Sequence, residues 1–166
     1  EQFVRDARIN MIYEGTNTIQ SLDLLGRKVL GNNGATLKKF GKLVGALVAE
    51  EGVNEKMAEF ITPIAELGEQ ITKFTTEIGF KGFQNADEVG AAAVDYLRVA
   101  GHLVFGYFFA RMAQVALREI AAGNTDPFYP AKLQTARFYF AKLFPETATL
   151  MRTARAGSKV LMDTDL

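Results

Sequence analysis

The chain has 166 residues, 48% of them hydrophobic, and its 19 basic residues balance 19 acidic ones. This predicts one sizeable domain with a real core, while the zero formal net charge argues against binding to nucleic acid or to an anionic membrane. Without cysteine and with one histidine, disulfides, thiol catalysis and histidine-rich metal sites are excluded, and no metal is expected. The composition suits a reducing cytoplasm, the location we expect, and no apolar run approaches the roughly 20 residues of a membrane span.

The first 30 residues predict two helices separated by a tight loop. Apolar residues at helical spacing over 3–12 give way to a break at 13–16, and the pattern resumes over 17–30. Asn17, followed three residues later by Gln20, predicts a capping box that opens the second helix. The second helix is expected to bury Ile19, Leu22, Leu25 and Val29.

Glu14 lies in the loop between these two predicted helices. A carboxylate held between two helix ends, beside the aromatic ring of Tyr13, is suited to act as a general base. The alternative is that Glu14 only favours the helix start through the helix dipole, which is the commoner role of such a glutamate. Gly15 permits a positive φ in the loop. Spacing alone leaves both interpretations open.

Glycine and asparagine at 31–34 predict the end of the second helix, and an amphipathic helix follows over residues 35–51. Asn54 is expected to cap the next helix. Within that helix, Pro63 predicts a kink or a break just before it, because proline costs about 3 kcal/mol in a helix interior. The glycines at 79–82 are expected to form the turn that ends the helix.

The longest predicted helix covers about residues 86–122. Its middle is apolar on nearly every face, which is typical of the buried central helix of a bundle. Asn85 with Glu88 predicts a second capping box at its start. Gly101 and Gly106 are expected to let neighbouring helices approach closely.

The remaining residues complete an all-α chain. Residues 123–127 predict a strong turn before a last helix that is kinked at Pro145, and residues 158–166 are expected to form a tail that docks on the rest. Helices joined by such short turns predict an antiparallel bundle of the four-helix type over residues 35–157. The segment 1–31 precedes this bundle as a helix-loop-helix unit.

Three charged or titratable residues of the long helix have two interpretations each. His102 is either a proton carrier or a hydrogen-bonded core histidine, and we expect the second. Arg98 and Arg111 could hold a phosphate between helices, but we expect them either to reach the surface or to pair with Asp95 or Glu88.

Residues 5–20 form an ordered pattern of more than ten positions. The pattern consists of Arg5-Asp6-Ala7-Arg8-Ile9, Ile12-Tyr13-Glu14-Gly15-Thr16-Asn17 and Ile19-Gln20. It resembles the C-terminal signature of the acyl-CoA dehydrogenase family. With Leu22-Asp23-Leu24-Leu25-Gly26-Arg27-Lys28, it looks most like the long form of that family, which includes 3-methylmercaptopropionyl-CoA dehydrogenase-like enzymes and carries an extra C-terminal helical domain. The resemblance implies that residues 1–31 end the catalytic part, that 35–157 are the appended bundle and that 158–166 are a tail.

The resemblance also implies an FAD-dependent dehydrogenase that forms the α,β double bond of an acyl-CoA thioester. Glu14 matches the family's base, which removes the α-proton while a hydride passes to FAD. Tyr13, Glu14 and Gly15 are the implied substrate contacts, with the backbone N–H of Glu14 donating to the thioester carbonyl. Thr16 matches a contact to the flavin diphosphate, and Thr18 is a further candidate FAD contact, although several relatives carry glutamine or glutamate there.

The implied partners are an acyl-CoA substrate, an electron-transfer flavoprotein as acceptor and a second subunit in a homo-oligomer, expected to be a dimer. The family's flavin-binding β-domain and most of its acyl pocket would precede Glu1, so we expect this chain alone to be inactive and not to retain FAD. Two alternatives stay open. One is an acyl-CoA oxidase-type flavoenzyme on the same fold, and the other is a non-catalytic helical oligomerisation module.

Overall fold

The computed structural model describes residues 1–12 and 16–163, and within them every regular element is a helix. The predicted all-α class is therefore confirmed. The α-helices are α1 (Gln2–Arg8), α2 (Asn17–Leu22), α3 (Ala35–Glu51), α4 (Ala58–Gln84), α5 (Asp87–Ala121), α6 (Phe128–Phe138), α7 (Glu146–Ala154) and α8 (Lys159–Met162). Wider π-helical turns continue α2 over Asp23–Val29 and α6 over Tyr139–Leu143, and 3₁₀ turns cover Ile9–Met11, Leu30–Asn32 and Glu55–Met57.

Helix α5 is the centre of the fold and packs against α2, α4, α6 and α7. Many of its buried residues are small, so neighbouring helices come close. The buried residues of α5 are Ala92, Ala93, Tyr96, Val99, Leu103, Gly106, Ala110, Ala113 and Ala116. The predicted central helix is confirmed, and the hydrophobic core extends on both sides of it.

The two glycines expected to allow close approach to α5 differ in the structure. A Cβ built on Gly106 would lie 2.7 Å from Cε2 of Phe144 and 3.0 Å from Cγ2 of Ile64. Gly106 is thus required where three helices meet. A Cβ on Gly101 would meet nothing within 4 Å, so the prediction for that residue is wrong.

Three predicted helix boundaries are confirmed by backbone geometry. Asn33 and Gly34 adopt left-handed conformations, with φ of 55° and 73°, and separate the second helical segment from α3. The Asn54 side chain accepts a hydrogen bond from the backbone N–H of Lys56 at 3.2 Å and caps the turn that opens α4. Gly123, with φ of 81°, follows the end of α5.

Helix α4 runs without interruption through Pro63, so a break there is wrong. The proline removes one backbone hydrogen bond, but buried side chains on both sides, Phe60 and Ile64, anchor the helix to the core. The turn predicted at 79–82 is also wrong, because α4 continues to Gln84.

Packing explains the glycines inside the last turns of α4. A Cβ on Gly79 would lie 3.2 Å from Cδ2 of Leu30, and a Cβ on Gly82 would lie 2.5 Å from Cγ2 of Val89. These positions favour glycine because neighbouring segments lie directly against the helix. The helix therefore tolerates their propensity cost of about 1 kcal/mol each.

The buried side of the second helical segment differs from the predicted stripe. Ser21, Leu25 and Val29 are buried, whereas Ile19 and Leu22 are exposed. The π-helical turns are wider than α-helical turns, so residues four apart stay in line on one side. Leu25 and Val29 join the same buried cluster as the bundle residues.

The two predicted capping boxes are not formed as expected. Thr16 is the N-cap residue of α2 and makes no side-chain capping bond, so Asn17 is already inside the helix. At α5, the Asn85 side chain accepts from the backbone N–H of Asp87 at 3.1 Å, but Glu88 bonds to Ser158 instead of turning back to Asn85.

Where a kink was predicted at Pro145, the last helix is divided: the π turn ends at Leu143 and α7 begins directly after Pro145. The tail docks through Ser158 and continues as α8. Across the described residues, none of the helices combines the length and apolar character required to cross a bilayer.

Candidate functional site

The predicted catalytic loop falls in the gap between the two described ranges. Tyr13, Glu14 and Gly15 lie outside the described residues. The described residues next to them in the chain are Ile12 and Thr16. Ile12 closes the 3₁₀ turn that follows α1, and Thr16 opens α2 with an extended backbone φ of 165°.

The two predicted cofactor contacts lie at the start of α2. Thr16 and Thr18 are both exposed. The Thr16 carbonyl accepts the backbone N–H of Gln20 at 2.8 Å, and the Thr16 side chain caps none of the helix N–H groups. Backbone N–H groups at a helix start favour an anion, so the position of Thr16 and Thr18 at the start of α2 is compatible with a phosphate contact.

Helix α2 packs on α5 and buries a residue that the sequence did not single out. Ser21 is fully buried, and its hydroxyl donates to the Thr18 carbonyl at 2.7 Å. Leu25, also fully buried, follows one π turn later. The four-residue spacing of Ser21, Leu25 and Val29 was the available signal. These three residues place the end of α2 and its π-helical continuation against the core.

The π-helical turn after α2 carries an ion cluster on Asp23. Lys28 Nζ lies 2.8 Å from Oδ2 of Asp23, and Arg27 pairs with the same carboxylate. Hydrogen bonds from Lys28 and Arg27 hold the pKa of Asp23 below its usual value. Two cations share one carboxylate, so this segment keeps one net positive charge.

His102 has the hydrogen-bonded environment that was expected. Its Nδ1 lies 2.9 Å from the Tyr139 hydroxyl, and its Nε2 lies 3.0 Å from Oε2 of Glu146. Arg98 reaches the surface, which was one of its expected outcomes, and pairs with the same carboxylate, not with Asp95 or Glu88. The hydrogen bond from His102 and the charge of Arg98 lower the pKa of Glu146. This cluster links α5 to α6 and α7 and has a structural role.

The other arginine of interest, Arg111, lies 3.4 Å from Oε2 of Glu50, measured from Nη1. This pair connects α5 to the end of α3. The predicted partners were residues nearby on the same helix, whereas the structure selects residues of other helices, because helix packing brings those carboxylates closer.

One side of α5 that was expected to be buried is open. Phe105 and Phe108 are 58% and 56% exposed, and Phe128 of α6 is 55% exposed. Together with Phe3 of α1 and Met112 they line an apolar groove of about 870 Å³. We call this the aromatic groove. None of the helices packed on α5 covers it within the described residues, and exposed apolar surface of this kind marks interaction sites.

In the described part of the chain, no three histidine or carboxylate side chains lie close enough together to hold a metal ion.

Comparison with known proteins identifies the family of this fold. A family model described as "Acetyl-CoA dehydrogenase C-terminal like" matches residues 35–165. The chain belongs to this family. The match covers the helical bundle, whereas the resemblance to acyl-CoA dehydrogenases in the sequence came from residues 5–20. Two separate parts of the chain thus lead to the same family, and that resemblance is confirmed.

Curated relatives of this family member are acyl-CoA dehydrogenases. The 3-methylmercaptopropionyl-CoA dehydrogenase of Ruegeria pomeroyi is 33% identical over 162 residues, covering 96% of this chain and 28% of that protein. The broad-specificity linear acyl-CoA dehydrogenase FadE5 of Mycobacterium tuberculosis is 25% identical over 175 residues, covering 99% and 28%. A butyryl-CoA dehydrogenase of Syntrophomonas wolfei is 28% identical over 166 residues, covering 96% and 27%. The chain thus spans little more than a quarter of the length of these relatives.

Proposed function

We propose that this chain is the C-terminal part of an FAD-dependent acyl-CoA dehydrogenase in which Glu14 is the catalytic base. The observation that carries the proposal is the ordered pattern around Glu14 in a chain whose bundle belongs to the acetyl-CoA dehydrogenase C-terminal-like family. We assign residues 1–31 to the catalytic part, 35–157 to the appended bundle and 158–166 to the tail.

The proposed role of Glu14 is to remove the proton from the carbon next to the thioester carbonyl. When substrate excludes water, desolvation disfavours the charged carboxylate and raises its proton affinity toward that task. The Glu14 backbone N–H donates to the thioester carbonyl and stabilises the negative charge that develops there. Tyr13 and Gly15 complete the substrate contact. The packing of α2 on α5 supports this role, because α2 begins three residues after Glu14.

The residues at the start of α2 fit the diphosphate of FAD. Thr16 and Thr18 are exposed and the Thr16 side chain is not used as a cap. Thr16, with the first N–H groups of α2, would hold the diphosphate, and Thr18 would add a second contact. When bound, FAD supplies the acceptor for the hydride that leaves the substrate's β-carbon. The acyl-CoA substrate and an electron-transfer flavoprotein are the partners that this chemistry requires.

The test is the Glu14→Gln substitution in the full-length protein. It keeps the size of the side chain and removes the base, so kcat for acyl-CoA oxidation should fall by about 100-fold or more. Glu66→Gln, on an exposed position of α4, is the matched control and should leave kcat unchanged. Flavin absorbance of both variants should match that of the parent protein, because neither substitution removes a proposed FAD contact.

Unchanged turnover in Glu14→Gln would refute the assignment of the base. Absence of flavin and turnover in the parent full-length protein would favour the non-catalytic module. Rapid reoxidation of the reduced parent enzyme by air would favour an oxidase over a dehydrogenase.

For the appended bundle we propose a subunit contact through the aromatic groove. Half-exposed Phe108 makes this surface costly to leave in water. Phe108→Glu should shift the full-length protein from dimer toward monomer in sedimentation analysis. Val53→Glu, at an isolated apolar position that is 95% exposed, is the control and should not change the oligomeric state. A dimer that persists in Phe108→Glu would place the subunit contact elsewhere.

A further inference from the structure

The end of the chain is attached to the start of α5 by hydrogen bonds that converge on Glu88. The backbone N–H and the hydroxyl of Ser158 both donate to Oε1 of Glu88, at 2.9 and 2.6 Å. The side-chain amide of Asn85 donates to the Ser158 hydroxyl at 3.2 Å. Ser158 is 3% exposed, and hydrogen bonds to a carboxylate are stronger than those between neutral groups. We call the contact of Ser158 with Glu88 the tail latch.

The residue before the latch is adapted to it. Gly157 has a φ of 78°, a left-handed conformation that favours glycine. A Cβ on Gly157 would lie 2.9 Å from Oε2 and 3.1 Å from Oε1 of Glu88. Backbone conformation and close approach therefore both require glycine here, and Gly157 provides the means to disturb the latch without touching its hydrogen-bonding groups.

The first turns of α5 also support the helix that follows the Glu14 loop. Helix α2 packs on α5. A groove of about 400 Å³ is lined by Leu22 of α2, Val89 and Gly90 of α5, and Leu161 and Met162 of α8. Residues from the end of α2, the start of α5 and the tail therefore border the same groove.

We propose that the tail latch is a positioning contact for the loop that carries Glu14. It fixes the start of α5 and the tail beside α2, and α2 begins at Asn17, three residues after Glu14. The inference rests on the proposed role of Glu14 as the base. Since a displacement of about 1 Å costs up to about 100-fold in rate, a loosened latch lowers kcat. KM changes little, because most substrate contacts lie elsewhere in the full-length enzyme.

The test uses the full-length enzyme with variants of the latch. Ser158→Ala, Gly157→Ala and Glu88→Ala should each lower kcat about tenfold or more, with little change in KM. Amide hydrogen exchange in residues 17–22 should become faster in the same variants. Glu88→Gln keeps an oxygen that can accept both bonds from Ser158 and should retain kcat and exchange rates close to those of the parent enzyme.

Gly123→Ala is the matched control. Gly123 has a φ of 81°, like Gly157, but a Cβ there meets nothing within 4 Å. The substitution therefore introduces the same backbone strain away from α2 and should change neither kcat nor exchange in residues 17–22. Unchanged exchange and kcat in Ser158→Ala, or equal changes in Gly123→Ala, would overturn the positioning role. Hydrogen exchange does not depend on turnover, so it tests the latch even if Glu14→Gln shows that Glu14 is not the base.

Discussion

Two glycines on α5 should differ in their response to the same substitution. Gly101→Ala adds a methyl group where nothing lies within 4 Å. It should stabilise the fold by about 1 kcal/mol, the difference in helix propensity between alanine and glycine. Gly106→Ala brings the same propensity gain but places its methyl 2.7 Å from the Phe144 ring and 3.0 Å from Ile64. Carbon atoms pack at about 3.5–4.0 Å, so both neighbours must move.

The expected size of the steric effect follows from the burial of those neighbours. Ile64 is fully buried and Phe144 is 6% exposed, which leaves little room for adjustment. Overpacking of a core costs about 1–3 kcal/mol. Because the propensity gain is common to both variants, Gly106→Ala should be less stable than Gly101→Ala by about that amount.

Urea unfolding followed by circular dichroism measures both free energies of unfolding. Equal stability of the two variants, within about 0.5 kcal/mol, would refute the close contact at Gly106. A double variant tests the mechanism further. Phe144→Leu removes the ring atoms nearest to the new methyl, so Gly106→Ala with Phe144→Leu should be more stable than the sum of the single effects predicts.

Three further predictions concern polar groups and are tested by urea unfolding. Thr75→Val leaves the buried Tyr96 hydroxyl without its acceptor at 2.7 Å and should lower the free energy of unfolding by about 1–3 kcal/mol. Tyr96→Phe leaves Thr75 bonded to the Ile71 carbonyl and should lower it by about 1 kcal/mol. A larger loss in Tyr96→Phe than in Thr75→Val would contradict this geometry. The pKa of Glu146 in the folded state is lowered from 4.5, so its carboxylate stabilises the fold above pH 4.5, and this stabilisation is lost as the pH falls through the folded-state pKa. Glu146→Gln should therefore make the free energy of unfolding fall less steeply toward acid pH. An unchanged pH dependence would contradict this role of Glu146. Burial raises the pKa of Asp95, so its ionised form lowers stability near pH 7. Asp95→Asn should therefore raise the urea midpoint at pH 7, and the difference from the parent protein should shrink toward pH 3.8. A lower midpoint in Asp95→Asn would show that the carboxylate is stabilising.

The acyl-CoA dehydrogenase resemblance could be read from the sequence because its signature lies in consecutive residues. Residues 5–20 carry the pattern without reference to any distant segment. The bundle that the family model matches shows no comparable motif, and its sequence predicts only a set of amphipathic and apolar helices. The assignment of Glu14 therefore depends on local sequence, and its role stays a proposal.

Local sequence also determined most helix ends. Asn33 and Gly34 were expected to stop a helix, and both have positive φ. Asparagine and glycine tolerate the left-handed conformation, and the tertiary contacts of Asn33 and Gly34 preserve it. At Gly79 and Gly82 the same reasoning failed, because glycine served the close approach of Leu30 and Val89 and not a turn. A residue without a side chain permits both outcomes, and only the neighbour decides between them.

Only the tertiary structure decided which distant residues meet. The sequence placed Arg98 beside Asp95 and Glu88, yet its partner is Glu146, and Glu88 bonds to Ser158. Pattern and propensity describe the conformation of one segment, whereas these pairs depend on how separate helices are stacked and rotated against each other. The sequence alone therefore determined an all-α chain with a recognisable glutamate loop. The helix packing determined that α2, the helix after this loop, packs on α5 and borders a groove with α8.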